Sequence, residues 1–215
     1  MARRDTRRRR QKKQRKAQDL TAWAQKTRAE LFSPEGFAER KAEQGFHLLG
    51  VMGFAGSWRR SGRKGAALED YKDAMREALR MHFVAERERH GDKLVMVSGA
   101  TNLGVLELAY ALCADLTIWA AGVTPDRTLL YEVGEMDFLV PWGQRFGDES
   151  DVFVELCDSF LLLGGGPQSE RETLAAHARG RPVTIIQGFG GAADGLSAEL
   201  LPNARFVQRD DTVRP

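Results

Sequence analysis

The sequence predicts an α/β fold: a doubly wound parallel sheet with flanking helices, preceded by a helical extension and a basic arm. Three observations carry that prediction. Short apolar runs without alternation, such as residues 94–97 and 160–163, suit strands buried on both faces. Helical patterns of about ten or more residues separate most of these runs, as parallel connections require. Three runs end in glycine turns, at residues 53–57, 99–102 and 164–168, which such a topology gathers on one edge of the sheet.

The basic arm comprises residues 1–18. Within residues 1–20, ten Lys/Arg stand against Asp5 and Asp19, a net of +8, so the chain's overall +2 leaves −6 on residues 21–215. Like charges at this density repel and bury nothing, which predicts disorder. Contact with nucleic acid or nucleoprotein through residues 1–16 is the functional expectation, and a solvated tail is the alternative. No aromatics interleave the arginines, so base stacking has no source there. In the helical extension, residues 19–45, Leu20, Trp23, Ala24, Thr27 and Leu31 recur at helical spacing. Ser33-Pro34-Glu35-Gly36 then ends that helix and caps a shorter one, with Pro34 at its first position.

The main domain spans residues 46–208, with a tail at 209–215. An apolar strand from Phe46 reaches the first glycine turn, a basic glycine-rich stretch covers 58–66, and an amphipathic helix runs over 67–89. A second strand over 93–98, a helix to about Ala114 and a third strand over 116–123 follow. Residues 124–150 are less regular, with a strand expected at 138–142 and a helix at 148–157. The three aromatics from Tyr131 to Trp142 read as a dimer surface or a base pocket. The run 160–163 is too short for a buried helix and breaks at three glycines. Ser169 then stands where an N-cap belongs, with Glu172 as its capping-box partner, which predicts a helix over 169–179. A strand over 182–187, a glycine-rich loop over 188–195 and a last helix over 196–201 complete the domain.

Strand, glycine turn and helix together aim unpaired N–H groups and a helix dipole at one spot, where phosphate binds well. The candidate ligand-binding residues are therefore Gly53, Gly56 and Ser57 in the first turn and Gly99, Thr101 and Asn102 in the second. The third turn contributes Gly164, Gly165, Gly166, Gln168 and Ser169. Their spacing gives neither G-x-G-x-x-G nor the Walker pattern, so dinucleotide and P-loop triphosphate chemistry is not expected. Cys113 and Cys157 lie in apolar segments and read as buried reduced thiols of an intracellular protein. His47, His82, His90 and His177 lack ligand spacing, so no metal site is expected. No apolar run approaches the roughly 20 residues of a membrane span. Nor does the N-terminus carry the apolar stretch of a secretory signal, so a cytoplasmic protein without membrane contact is expected.

With the turns placed, residues 46–205 resemble the LOG-like (lysine decarboxylase-like) Rossmann superfamily. The family's P-G-G-x-G-T-x-x-E signature is matched with Gly164 at the proline, Gly165 and Gly166 at the glycines and Gln168 at the third glycine. Ser169 stands at the threonine and Glu172 at the acid. Ser98-Gly-Ala-Thr-Asn-Leu-Gly-Val-Leu106 is similar to the weaker G-G-x-x-x-G-x-M-G signature, and Asp158-Ser-Phe160 to the family's Ser-Asp-Ala-Phe. The resemblance implies a Rossmann-like fold, a homodimer, a nucleotide ligand and no metal or organic cofactor. It also implies that Glu172 works near the ribose of a nucleoside 5′-monophosphate, where a carboxylate stabilises positive charge as the N-glycosidic bond breaks. An arginine expected to assist aligns instead with Glu149, leaving Arg145, four residues away, as a substitute from a different geometry. An acid at that position repels an anionic ligand.

Three functions follow. The first is a nucleotide-binding protein, recognising a nucleoside phosphate or ADP-ribose-like molecule with degenerate catalysis. The second is a phosphoribohydrolase that releases a free base and ribose 5-phosphate, with Glu172 and Arg145 as catalytic candidates. The third is a non-enzymatic body tethered to nucleic acid or nucleoprotein by its basic arm.

Overall fold

The computed structural model describes Ala24 and residues 29–212. The basic arm, most of the first expected helix and the last three residues lie outside the described residues. Eight strands form one all-parallel sheet: β1 (Glu30–Leu31), β2 (His47–Gly53), β3 (Leu94–Ser98), β4 (Trp119–Thr124), β5 (Phe138–Pro141), β6 (Ser159–Leu163), β7 (Val183–Gln187) and β8 (Arg205–Gln208). Their order across the sheet is β1-β5-β4-β3-β2-β6-β7-β8. From β2 to β5 the chain winds in one direction, and from β6 to β8 in the other. The reversal falls between β2 and β6, where Gly50 pairs with Phe160 and Gly53 with Leu163.

Helices cover both faces: α1 (Pro34–Gln44), α2 (Ala66–His90), α3 (Val105–Leu116), α4 (Ser150–Leu156), α5 (Pro167–Ala178) and the single turn α6 (Ala192–Gly195). Successive strand side chains point to opposite faces, and the apolar runs divide accordingly. Leu49, Val51, Leu161 and Leu163 pack against α2 and α3 in one core. Leu48, Met52, Phe160 and Leu162 pack against α1, α4 and α5 in the other. Non-alternating strands thus have both faces dry. Each fully buried Leu or Phe contributes roughly 2–3 kcal/mol relative to exposure. Among the described residues no helix is long and apolar enough to cross a membrane.

Several local expectations change. The helical period through Leu31 gives way to a strand, because Glu30 N and Phe32 N find the open edge of β5 at Asp137 O and Leu139 O, 2.7 and 2.9 Å away. The next helix begins as its sequence dictates: Pro34 opens α1 and Ser33 Oγ accepts from Gly36 N at 3.1 Å. Phe37 is fully buried and, with Phe32 beside it, ties this segment to the core of the sheet. Asp158, between α4 and β6, anchors this side. Its Oδ1 takes Lys41 Nζ at 2.6 Å and its Oδ2 takes Leu48 N at 2.9 Å. The last helix expected over 196–201 is absent. The short α6 lies earlier, and 198–202 are turns. β8, which the sequence reading did not include, pairs with β7 instead.

Candidate functional site

A cleft of about 690 Å³ opens beyond the carboxyl ends of β2, β3 and β6. This is the topological switch point, where ligands of open α/β sheets bind. All three glycine turns reach it, the first through residues 53–57 entire and the other two through only some of their residues.

The first turn contributes Gly53, Gly56 and Ser57 to the lining, together with Phe54. Its backbone is locked from behind. Phe54 O accepts Val105 N at 2.8 Å, and Gly104, at φ +63°, lies so close that any Cβ there would run into Phe54 O. The second turn contributes Ser98, Gly99 and Thr101. Ala100 holds a left-handed φ of 63°, a conformation that L residues adopt at a cost of about 1–3 kcal/mol. That twist aims Thr101 inward and Asn102 away. Asn102 does not line the cleft, because its N and Nδ2 bind Glu132 O and Oε1 at 2.9 and 3.2 Å. Inside, Ser98 Oγ and Thr101 Oγ1 are both buried; Thr101 Oγ1 has no hydrogen-bond partner, whereas Ser98 lies against the buried Tyr110 hydroxyl. Buried hydroxyls are normally paired, and leaving one unmade costs about 1–3 kcal/mol.

In the third turn Gly164 and Gly165, both at positive φ, face away from the cleft. Their carbonyls accept Ala193 N at 2.8 Å and Ala192 N at 3.2 Å, fixing the turn on α6. Gly166, Gln168 and Ser169 line the cleft. The capping box expected here does not form. α5 starts at Pro167 with Gly166 as N-cap and no side-chain cap, since Pro167 suits the first helical position and needs no N–H partner. Ser169 sits in the first turn, and its hydroxyl donates to Gly53 O at 3.3 Å, tying the third glycine turn to the first. The α5 N-terminus therefore presents first-turn amides to the cleft without a side-chain competitor.

Glu172, released from capping, joins a polar network. Its Oε1 accepts Ser150 Oγ at 2.6 Å and Gln168 Nε2 at 2.9 Å. Gln168 Nε2 also donates to Glu149 Oε1 at 3.0 Å, and Glu149 Oε2 accepts Gly147 N at 2.8 Å. Both acids are buried and line the cleft. Burial pushes the carboxyl of Glu149 above its ordinary range, partly offset by its own backbone N–H and by the Gln168 and Gly147 bonds. Glu172 is raised too, first by burial and then by the neighbouring Glu149, against the bonds from Ser150 and Gln168. Arg145 is exposed on the loop before α4 and does not line the cleft, whereas Phe146 beside it does. Among the described residues no Lys, Arg or His lines it, so the lining charges are the two glutamates alone.

The rest is apolar: Val51, Leu103, Leu106, Val123 and Phe153, with Tyr131 and Phe146 rings 5.6 Å apart. Sequence reasoning did not assign Ser98, Phe54 or Phe146 to a site. Ser98 at the end of a strand entering a glycine turn was the available signal. A second cluster lies at the opposite end of β2. His47 stacks on His90 at 3.7 Å, and ligand atoms of His47, Glu86 and His90 lie within 4.8 Å of one another. Scattered histidines do meet in space here. Their rings are parallel to within 6°, however, so the in-plane lone pairs do not converge on one ion.

No protein-family model and no curated protein matches this chain. Solved structures do. The structural-genomics protein TM1055 superposes with a TM-score of 0.56 at 21% identity, over 78% of this chain and 96% of its own. The molybdenum cofactor binding protein of the phototrophic bacterium Rippkaea orientalis gives 0.57 at 18% identity, over 78% and 93%. The molybdenum cofactor carrier protein of Chlamydomonas reinhardtii gives 0.55 at 16%, over 75% and 89%. These likenesses carry the fold, an α/β Rossmann-like sheet.

Proposed function

We propose that the cleft binds a small molecule built from a heterocycle, a sugar and a phosphate, such as a nucleoside phosphate or an ADP-ribose-like compound. The observation that carries this reading is the uncapped N-terminus of α5, which opens into the same cleft as two buried acids and the Tyr131–Phe146 rings. Phosphate suits the helix end, whose amides and dipole favour an anion. Sugar hydroxyls suit the carboxylates, which accept but do not donate when ionised. A heterocycle suits the Tyr131–Phe146 rings. The molybdenum-cofactor names of two structural neighbours support small-ligand carriage on this fold.

Binding ranks above turnover because, among the described residues, no cation lines the cleft to assist a leaving base, and Arg145 is exposed outside it. Phosphoribohydrolase activity is the second reading, favoured by Glu172 at the cleft wall, where it would stabilise a cationic ribose or orient water. Thermal melting of the full chain with nucleoside 5′-monophosphates and ADP-ribose tests the first reading. A saturable rise in Tm supports it, since ligand stabilises the native state by mass action. No shift at millimolar ligand defeats it. Chromatographic release of free base, abolished in Glu172→Gln, would establish the second.

A further inference from the structure

A second cavity, of about 350 Å³, lies between α2 and the edge strand β8. None of the residues lining it lines the cleft at the glycine turns. Its floor follows from strand register. Thr184 pairs with Arg205 and Ile186 with Val207, and residues two apart on a strand share a face. These four positions form one patch, in which Ile186 is buried in the core under α2 and Val207 packs against it. Ala78, Met81, His82 and Ala85, at helical spacing on α2, form the wall. The short 3₁₀ turn Arg209–Thr212, packed on α2, adds Asp211. The space exists because β8 ends the sheet at this edge and, among the described residues, no α-helix follows it.

The charges decide what fits. Arg205 and Asp211 are both exposed, and neither forms an ion pair or a side-chain hydrogen bond with a described residue. His82 adds no charge between them, since burial holds its ring neutral down to about pH 4. A simple organic anion would meet Asp211, and a simple amine would meet Arg205. A molecule that carries both charges beside an apolar body satisfies both residues and covers the floor. We infer that this cavity is a second binding site, for a free α-amino acid with an apolar side chain. Arg205 takes the carboxylate, for which a guanidinium is the fitting partner, and Asp211 takes the ammonium. The side chain lies on Ile186 and Val207, against Ala78, Met81 and Ala85. The volume stands at the small end of ligand pockets, which run from roughly 300 to 1,000 Å³.

The test is calorimetric titration of the full chain with L-leucine, glycine, isocaproate (leucine without its ammonium) and isoamylamine (leucine without its carboxylate). Leucine is expected to bind about 5-fold more tightly than either analogue, the ratio set by one partly exposed ion pair. It is also expected to bind more tightly than glycine, which leaves the apolar floor wet. Arg205→Gln is expected to abolish the advantage of leucine over isoamylamine, and Asp211→Asn its advantage over isocaproate. Both variants are first checked for an unchanged melting transition, which the exposure of both positions predicts. No binding of leucine at millimolar concentration, equal affinity for leucine and its two analogues, or an advantage that survives both substitutions overturns the inference. The nucleotide-binding reading concerns the other cleft and is untouched by any of these results.

Discussion

Glu149 and Glu172, brought from α4's N-terminal cap and the middle of α5, meet on a single side-chain amide. Gln168 Nε2 lies 3.0 Å from one carboxylate and 2.9 Å from the other. Both acids are held above their ordinary range, chiefly by burial. A carboxyl raised in the folded state costs no stability below its unfolded pKa, about 4.3. The cost grows as pH rises through the interval up to the folded pKa and is complete above it. Glu149→Gln removes this cost but leaves a pH-independent loss at the Gly147 amide, so the informative quantity is the slope. The difference in Tm, variant minus wild type, is expected to increase between pH 4 and pH 8. A flat difference would show that the charge of Glu149 is fully compensated in the fold.

The close approach of Gly104 to Phe54 O allows no side chain. Gly104→Ala combines a left-handed φ with a backbone clash and is expected to destabilise the protein by about 3 kcal/mol or more. Urea unfolding measures this directly. A loss under about 1 kcal/mol would mean that the first glycine turn moves freely, and the cleft with it.

Asp158 joins α1 to the start of β2. Asp158→Ala strips acceptors from Leu48 N and Lys41 Nζ at once and is expected to cost about 2–4 kcal/mol. Lys41→Met should cost less, because Asp158 keeps its backbone bond. Equal losses in the two variants, read from denaturant midpoints, would contradict this ranking.

His82, on α2, is pushed down to about 4 by burial, with Arg205 and Arg89 acting in the same sense and Glu86 against them. A histidine held neutral in the fold but free to charge when unfolded weakens the fold as pH drops. The loss begins near 6.5 and is complete near 4, amounting to as much as about 3 kcal/mol. His82→Gln is expected to flatten the acid limb of a stability–pH curve. An unchanged limb would assign acid sensitivity to other groups.

The arm of residues 1–16 predicts salt-sensitive polyanion binding, since each phosphate neutralised releases counterions. Fluorescence titration with heparin or an RNA oligomer, between 50 and 200 mM salt (about the range over which such contacts fade), should show steep loss of affinity. Deleting residues 1–16 should abolish binding. Retention after deletion would move the contact onto the body of the protein.

The sheet was legible because burial on both faces leaves a mark that needs no neighbours. The runs 94–97 and 160–163 are apolar at every position, and only a strand covered on both sides tolerates that. The glycine turns were legible for a related reason: positive φ at Gly164, Gly165 and Gly104 is written in residue type. Where competition between partners decides, the sequence was silent or misleading. Glu30–Leu31 carries a helical period yet becomes a strand because the β5 edge is open to it. Ser169 and Glu172 have the spacing of a capping box, but Pro167 starts the helix two residues earlier, so Ser169 turns to Gly53 O and Glu172 to Ser150 and Gln168. The sequence alone determined the strands β2 to β7 and the glycine turns at the ends of β2, β3 and β6, because those follow from local sterics and patterning. Which of the turn residues face the cleft, and that Glu149 shares an amide with Glu172, was decided only when the fold set distant donors and acceptors within about 3 Å, the range in which a hydrogen bond exists.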